Sequence, residues 1–211
     1  MRQIVSSLQL SAAVDNAVCL DQTRATAGAL TIDGGNAVGG VAIFNAAYVV
    51  TVTSTGNDST RTYTITGTNA AGNALSETIT GPNATTVSTT GNFLTVTGVS
   101  VVGGGTVGTV RVGFGSSGVT APLPLDIHGR PDVSLQVTVT GTVTWTVQQS
   151  LDNPFTVNMP TYLNHPDPNM VAQTVNRQGN YAYVPATVRL RVTSGTGRAT
   201  LTIIQSGDNR A

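Results

Sequence analysis

Lysine is absent from all 211 residues. The ten cations are arginines, and Glu77 is the lone glutamate beside nine aspartates. Charged residues make up 9% of the chain, against about 25% in an ordinary soluble domain. The arginines are scattered from Arg2 to Arg210 and the net charge is zero. No basic stripe is therefore available to neutralise phosphates and release counterions, and nucleic acid is not an expected partner. One cysteine, Cys19, excludes an intramolecular disulfide and reads as a small buried thiol. His128 and His165 are the only histidines; with Cys19 far away in sequence they give no metal-ligand spacing, so neither metal nor cofactor is expected. Long apolar runs are also missing. Ile4-Val5 is followed at once by Ser6-Ser7, without the apolar core of a secretory signal, and the expectation is synthesis in a cytoplasm. The uncharged run 78–110 is interrupted throughout by Thr, Gly, Ser and Asn, and predicts no membrane-spanning helix.

What the chain has in abundance is 35 threonines and 28 valines. Both are β-branched and favour a pleated surface over a helix. With 39% hydrophobic residues the chain has enough apolar material for a globular core, and an all-β protein is expected. Its length fits two domains of about 90 to 100 residues, each able to close a core. Residues 115–124, with two prolines among small residues, mark a composition shift that suits a boundary. The predicted organisation is an extended N-terminal arm over 1–21, a first antiparallel β-sandwich over 22–116 and a second over 117–211, each Ig-like or jelly-roll-like.

In the arm, Leu8, Leu10, Ala12 and Val14 alternate with Ser7, Gln9, Ser11 and Asp15, a strand pattern to which a helix is the weaker alternative. Two readings stand side by side: a first strand closing its own domain, or an extension pairing with a neighbouring subunit. The first module has strand candidates at 29–32, 41–44, 48–53, 61–66, 75–80, 93–97 and 109–114. Asp33-Gly34-Gly35-Asn36, Thr55-Gly56-Asn57-Asp58, Ala71-Gly72-Asn73 and Gly103-Gly104-Gly105 supply the turns between them. In the second module Leu135, Val137, Val139, Val143, Trp145 and Val147 share one parity, which predicts two strands about a tight Thr140-Gly141-Thr142 turn with Trp145 inside, the alternative being a single long strand kinked at Gly141. Val184, Ala186, Val188, Leu190 and Val192 alternate with Thr187, Arg189 and Arg191, then a turn at 194–197 leads to Ala199, Leu201 and Ile203. This reads as a closing hairpin of firm register.

Several stretches carry a family likeness. They are Ser76-Glu77-Thr78-Ile79-Thr80-Gly81-Pro82-Asn83-Ala84-Thr85-Thr86-Val87 with residues 93–101, Tyr48 to Ser59, Val143 to Phe155, His165-Pro166-Asp167, and Gln178 to Pro185. Together they resemble virion structural proteins of tailed bacteriophages. The resemblance implies a head decoration or cement protein, or a neck or tail accessory protein, found in the virion and assembled in the bacterial host's cytoplasm. It implies other virion proteins as partners (a major capsid protein, or neck and tail proteins) and a homo-oligomer, and it supplies no catalytic residues.

The residues themselves offer little for catalysis. Asp126 with Asp132, Asp152 or Asp167 could supply the two carboxylates of a glycosidase, but each lies in a turn-like context. No Gly-x-Ser-x-Gly elbow places a nucleophile, and the expectation is a non-enzyme. Tyr162-Leu163-Asn164-His165-Pro166-Asp167-Pro168-Asn169-Met170 is the one polar, aromatic loop suited to contact, whether as a proline-stiffened connection or as a sugar or protein site. The candidate partner contacts are therefore Ile4, Val5, Leu8 and Leu10 in the arm, and Tyr162, His165 and Asp167 in this loop. A glycan-binding adhesin module is the alternative to the virion reading. Antiparallel edges with so little guarding charge point to burial against neighbouring subunits.

Overall fold

The computed structural model describes residues 2–128, 132–154, 156–157 and 160–205. It is all-β and antiparallel, with one 3-10 turn, Pro168–Met170, among the described residues. In chain order the first strands are β1 (Arg2–Gln9), β2 (Val14–Gln22), β3 (Gly28–Ala29), β4 (Ala37–Val38), β5 (Val41–Ser54), β6 (Thr62–Asn69), β7 (Ala74–Thr80), β8 (Thr86–Val102) and β9 (Val110–Val119). They are followed by β10 (Leu123–Pro124), β11 (Val133–Thr140), β12 (Val143–Ser150), β13 (Leu163–Asn164), β14 (Arg177–Tyr181), β15 (Thr187–Gly195) and β16 (Arg198–Gln205). The chain divides into two compact units, an inner one, Ala12–Ser116, and a terminal one made of Met1–Ser11 and Ser117–Ala211.

In the inner unit the order β9-β5-β8-β6-β7 forms the main sheet, with β2 paired to β9 and β3 to β8. The strands expected at 41–44 and 48–53 are one strand, β5. Its register to β8 shifts between Ile43 and Tyr48 and again between Val49 and Thr51. The bulges absorb the apparent gap, because Ala42, Phe44, Ala46, Tyr48, Val50 and Val52 all stay buried on one parity. Phe44, Tyr48 and Phe114 cluster there, with ring centroids 4.7 to 5.9 Å apart. Gly113 lies so close to β2 that a Cβ would stand 1.9 Å from the carbonyl oxygen of Val14. The Thr-rich faces are tied by hydroxyl pairs between strands, Thr64 to Thr78 at 2.9 Å and Thr68 to Thr95 at 2.7 Å. Such cross-strand pairs contribute about 0.2–1 kcal/mol each without any charge.

Asp58 is wholly buried. Its carboxylate accepts the Ser54 hydroxyl at 2.5 Å and the Val107 amide at 2.8 Å, while its own amide donates to the Pro82 carbonyl at 2.8 Å. Side chain and backbone of one residue thus tie together the ends of three segments. Arg61 adds to the junction by donating to the Gly103 and Gly105 carbonyls. The turn reading of Asn57-Asp58 is met by this arrangement. Asp33 likewise serves its loop, accepting the Leu20 amide at 2.9 Å.

In the terminal unit one sheet runs β1-β16-β11-β14 and another contains β13-β12-β15 with β10 on β15. Val133, Leu135, Val137, Leu201 and Ile203 of the first sheet are buried, as are Trp145, Val147, Val188, Leu190 and Val192 of the second. The alternation of each strand decides this, since one parity is apolar and the other is Thr, Ser, Gln or Arg. Trp145 is fully buried and donates its indole N–H to the Val175 carbonyl at 3.2 Å.

Two expectations are corrected here. The segment 1–21 is no free arm: β1 pairs with β16 over eight residues from Arg2–Gln205 to Gln9–Arg198, and β2 pairs with β9. Its first strand joins the sheet built from the end of the chain rather than the adjoining module. Of its predicted inward row, Leu8 and Leu10 are buried, whereas Val14 is exposed beyond the switch at Ser11 and Ala12. Secondly, neither expected hairpin is a hairpin. The strands β11 and β12 are joined at Gly141, and β15 and β16 at 195–197, yet each pair splits between the two sheets. The two crossing turns pack on each other, with the Gly197 amide donating to the Thr142 carbonyl at 2.8 Å. A Cβ on Gly195, held at φ +97°, would stand 2.2 Å from that same oxygen, so glycine is required by both conformation and space.

Candidate functional site

The loop leading into β13 lays Tyr162 across Arg189 of β15, with the guanidinium carbon 3.6 Å from the ring centroid. Arg189 shares the outer face of its sheet with Gln148, the residue opposite it in the β12–β15 register. Its Nε donates to Gln148 Oε1 at 2.9 Å, and Gln148 Nε2 donates to Asn164 Oδ1 at 3.2 Å. Burial pulls the Arg189 guanidinium down to about 10, against the attraction of Tyr162. Burial also raises the Tyr162 hydroxyl above its ordinary range. The stack replaces water on one guanidinium face with a π surface.

His165 lies on the opposite, inward side. It is buried, its ring centroid is 4.5 Å from that of Tyr181, and its backbone N–H donates to the Val147 carbonyl at 2.9 Å. The Asp167 amide donates to His165 Nδ1 at 3.0 Å, which requires an unprotonated acceptor there. Burial accordingly lowers the imidazole below its ordinary value, outweighing the nearby Asp167 carboxylate. Asp167 caps the 3-10 turn, its Oδ1 accepting the Asn169 amide at 2.9 Å and Asn169 Nδ2 at 3.1 Å. Met170, at the end of that turn, is fully buried.

Asp167 also borders a shallow polar groove of about 500 Å³, lined with Gln136, Asn169, Asn176, Arg177 and Gln178. This lining offers amide donors and acceptors, one carboxylate and one guanidinium. It brings no second carboxylate to face Asp167, as acid–base hydrolysis of a glycosidic bond would need. Among the described residues no group of three His, Cys, Asp or Glu side chains is placed to hold a metal ion.

The predicted contacts therefore do not form one site. Tyr162 stacks on the outside of one sheet, His165 packs inside, and Asp167 sits at the groove. Ile4, half-buried, and the buried Leu8 point inward from β1, with the buried Leu10 just beyond its end; Val5 points outward and is 55% exposed. Sequence reasoning placed Arg189 on the polar parity of its strand and missed both the stack and the amide relay through Gln148. The polar run Gln148-Gln149-Ser150 closing an apolar strand was the available signal, because all three are buried. No protein-family model matches the chain, and a search of curated proteins returns no match.

Proposed function

We propose that the protein is a bacteriophage virion structural component, a decoration or cement protein that binds assembled heads and stabilises them through subunit contacts. In this reading each unit is a β-sandwich module of Ig-like or jelly-roll-like kind, and the work done is mechanical. The observation that supports it is the surface of the β1-β16-β11-β14 sheet. Its outer face presents Gln3, Val5, Ser7 and Gln9 beside Ile204, Thr202 and Thr200, and then Ser134, Gln136 and Thr138, with Arg198 the one cation in these rows. A broad, almost uncharged face with Val5 and Ile204 exposed on it is suited to permanent contact with other subunits. The test is quantitative mass spectrometry of purified particles encoded with this chain. Hundreds of copies per particle are expected for a head protein, a dozen or fewer would move it to neck or tail, and absence from the particle would refute the reading.

A glycan-binding module is the second reading, favoured by the amide-lined groove at Asp167. Hydroxyl recognition by Asn, Gln and Asp is its chemical basis. A glycan-array signal abolished by Asn169→Ala with Gln178→Ala would select this reading over the first.

A further inference from the structure

Sheet edges are where an antiparallel protein either guards its free N–H and C=O groups or spends them on a partner. Among the described residues the edges of this chain are unequal. At one end of the inner unit's sheet, β7 carries Glu77, whose carboxylate reaches the Thr90 and Gly91 amides. The strand β2 carries Asp15 and Asp21 and pairs with β9 in a broken register. In the terminal unit β13 has two residues, and β14 has five that include Arg177 and Gly179. These strands are short, bulged or charged. The strand β1 is neither short nor bulged: it spans eight residues at the end of its sheet, with an unbroken register to β16 on its inner side, and its one charged residue, Arg2, stands at its very start. From Gln3 through Val14 no residue is charged and none is proline.

We propose that the free edge of β1 pairs antiparallel with β1 of a second copy of this chain, about a two-fold axis through Ser6. The pairing rests on the assembly reading above and gives it a named contact. The occupant follows from the strand's self-complementarity. With the axis perpendicular to the sheet at Ser6, Ile4 of each copy lies opposite Leu8 of the other on the inward face, so the half-exposed Ile4 gains an apolar neighbour twice. On the outward face Val5 meets Ser7 and Gln3 meets Gln9, with no like charges opposed. A slip of one residue would set inward side chains against outward ones and is rejected by the same alternation. The two four-stranded sheets become one continuous sheet of eight, and the unguarded edges disappear.

The register makes the test specific. Val5 and Ser7 are exposed, so Val5→Lys with Ser7→Lys leaves the core intact while placing four lysines together across the axis. Val5→Glu with Ser7→Glu does the same with acids. Sedimentation velocity over a concentration series is expected to give twice the single-chain mass for the wild type. Each charged double variant should raise the dimer dissociation constant at least about tenfold, with unchanged circular dichroism, and an equimolar mixture should restore dimers. If either variant misfolds, Gln3 and Gln9, opposed in the same register, provide a second charge-swap pair. A wild type that stays monomeric at every concentration overturns the proposal. So do charged variants that associate as the wild type does, or a mixture that fails to re-associate. The virion reading is judged separately: wild-type dimers missing from particles would remove it and leave the pairing in place, whereas monomeric protein present in particles would do the reverse.

Discussion

Replacing Trp145 with alanine tests the packing of the terminal unit most directly. The ring is fully buried between two sheets whose facing residues, Val137, Leu201 and Leu190, are themselves without solvent exposure. Deleting a buried aromatic leaves both a lost transfer energy and a cavity, and costs about 3–5 kcal/mol. The indole N–H bond to the Val175 carbonyl is lost as well, and a single neutral hydrogen bond contributes about 1 kcal/mol. Trp145→Phe keeps most of the ring and should cost about 1–2 kcal/mol less than the alanine variant. Urea melts followed by far-ultraviolet circular dichroism measure both, and any second transition from the inner unit must be fitted separately. As the chain's single tryptophan, Trp145 also gives the wild type a blue-shifted emission that reports this unit alone. A loss below about 1 kcal/mol for Trp145→Ala would refute the argument from burial.

Other outcomes follow from buried polar groups. Asp58→Ala removes the acceptor for Ser54 and Val107 and should destabilise the inner unit by roughly 2–4 kcal/mol, read as a lower midpoint in the same melts; an unchanged midpoint would show that the loops hold without it. Burial, with a contribution from Asp33, pushes the Cys19 thiol up to about 12. The native thiol should therefore resist a disulfide reagent at pH 8 and react on unfolding. Because the unfolded thiol ionises first, wild-type stability should fall as the pH rises from about 8.5 towards 12 relative to Cys19→Ala. For His165 the lowered imidazole means that the unfolded chain binds its proton before the folded one does. Stability should therefore fall as the pH drops below about 6.5, and His165→Asn should flatten that limb in a pH series of thermal melts.

How much of this was legible beforehand differs by level. Parity along 135–147 and 184–203 identified the buried faces, because the side-chain period of a strand is fixed by its backbone. Partner choice was not legible. The same alternation suits a hairpin or an arch between sheets, and the contact between Gly195, Gly197 and Thr142 that separates them joins residues more than fifty positions apart. The 41–54 strand was divided because bulges shift its pairing while keeping its buried parity. At the candidate site, Tyr162, His165 and Asp167 drew notice as polar and aromatic residues in one loop, but their three separate environments depend on partners in β15, β14 and the 3-10 turn. Arg189 looked like any outward strand residue until Tyr162 was laid over it.

The amino-acid order alone determined that the chain would be β throughout, that the apolar parity of its alternating strands, Trp145 included, would face inward, and that glycine and asparagine would turn it, since these follow from local sterics and a two-residue period. Tertiary structure decided which strands became neighbours: β1 beside β16, the two crossings at Gly141 and 195–197, and the burial of Arg189 beneath Tyr162. The physical reason is that an unpaired strand edge accepts any strand of matching alternation. The choice among them is made by closing long loops over a shared core, a contest that no local stretch of residues contains.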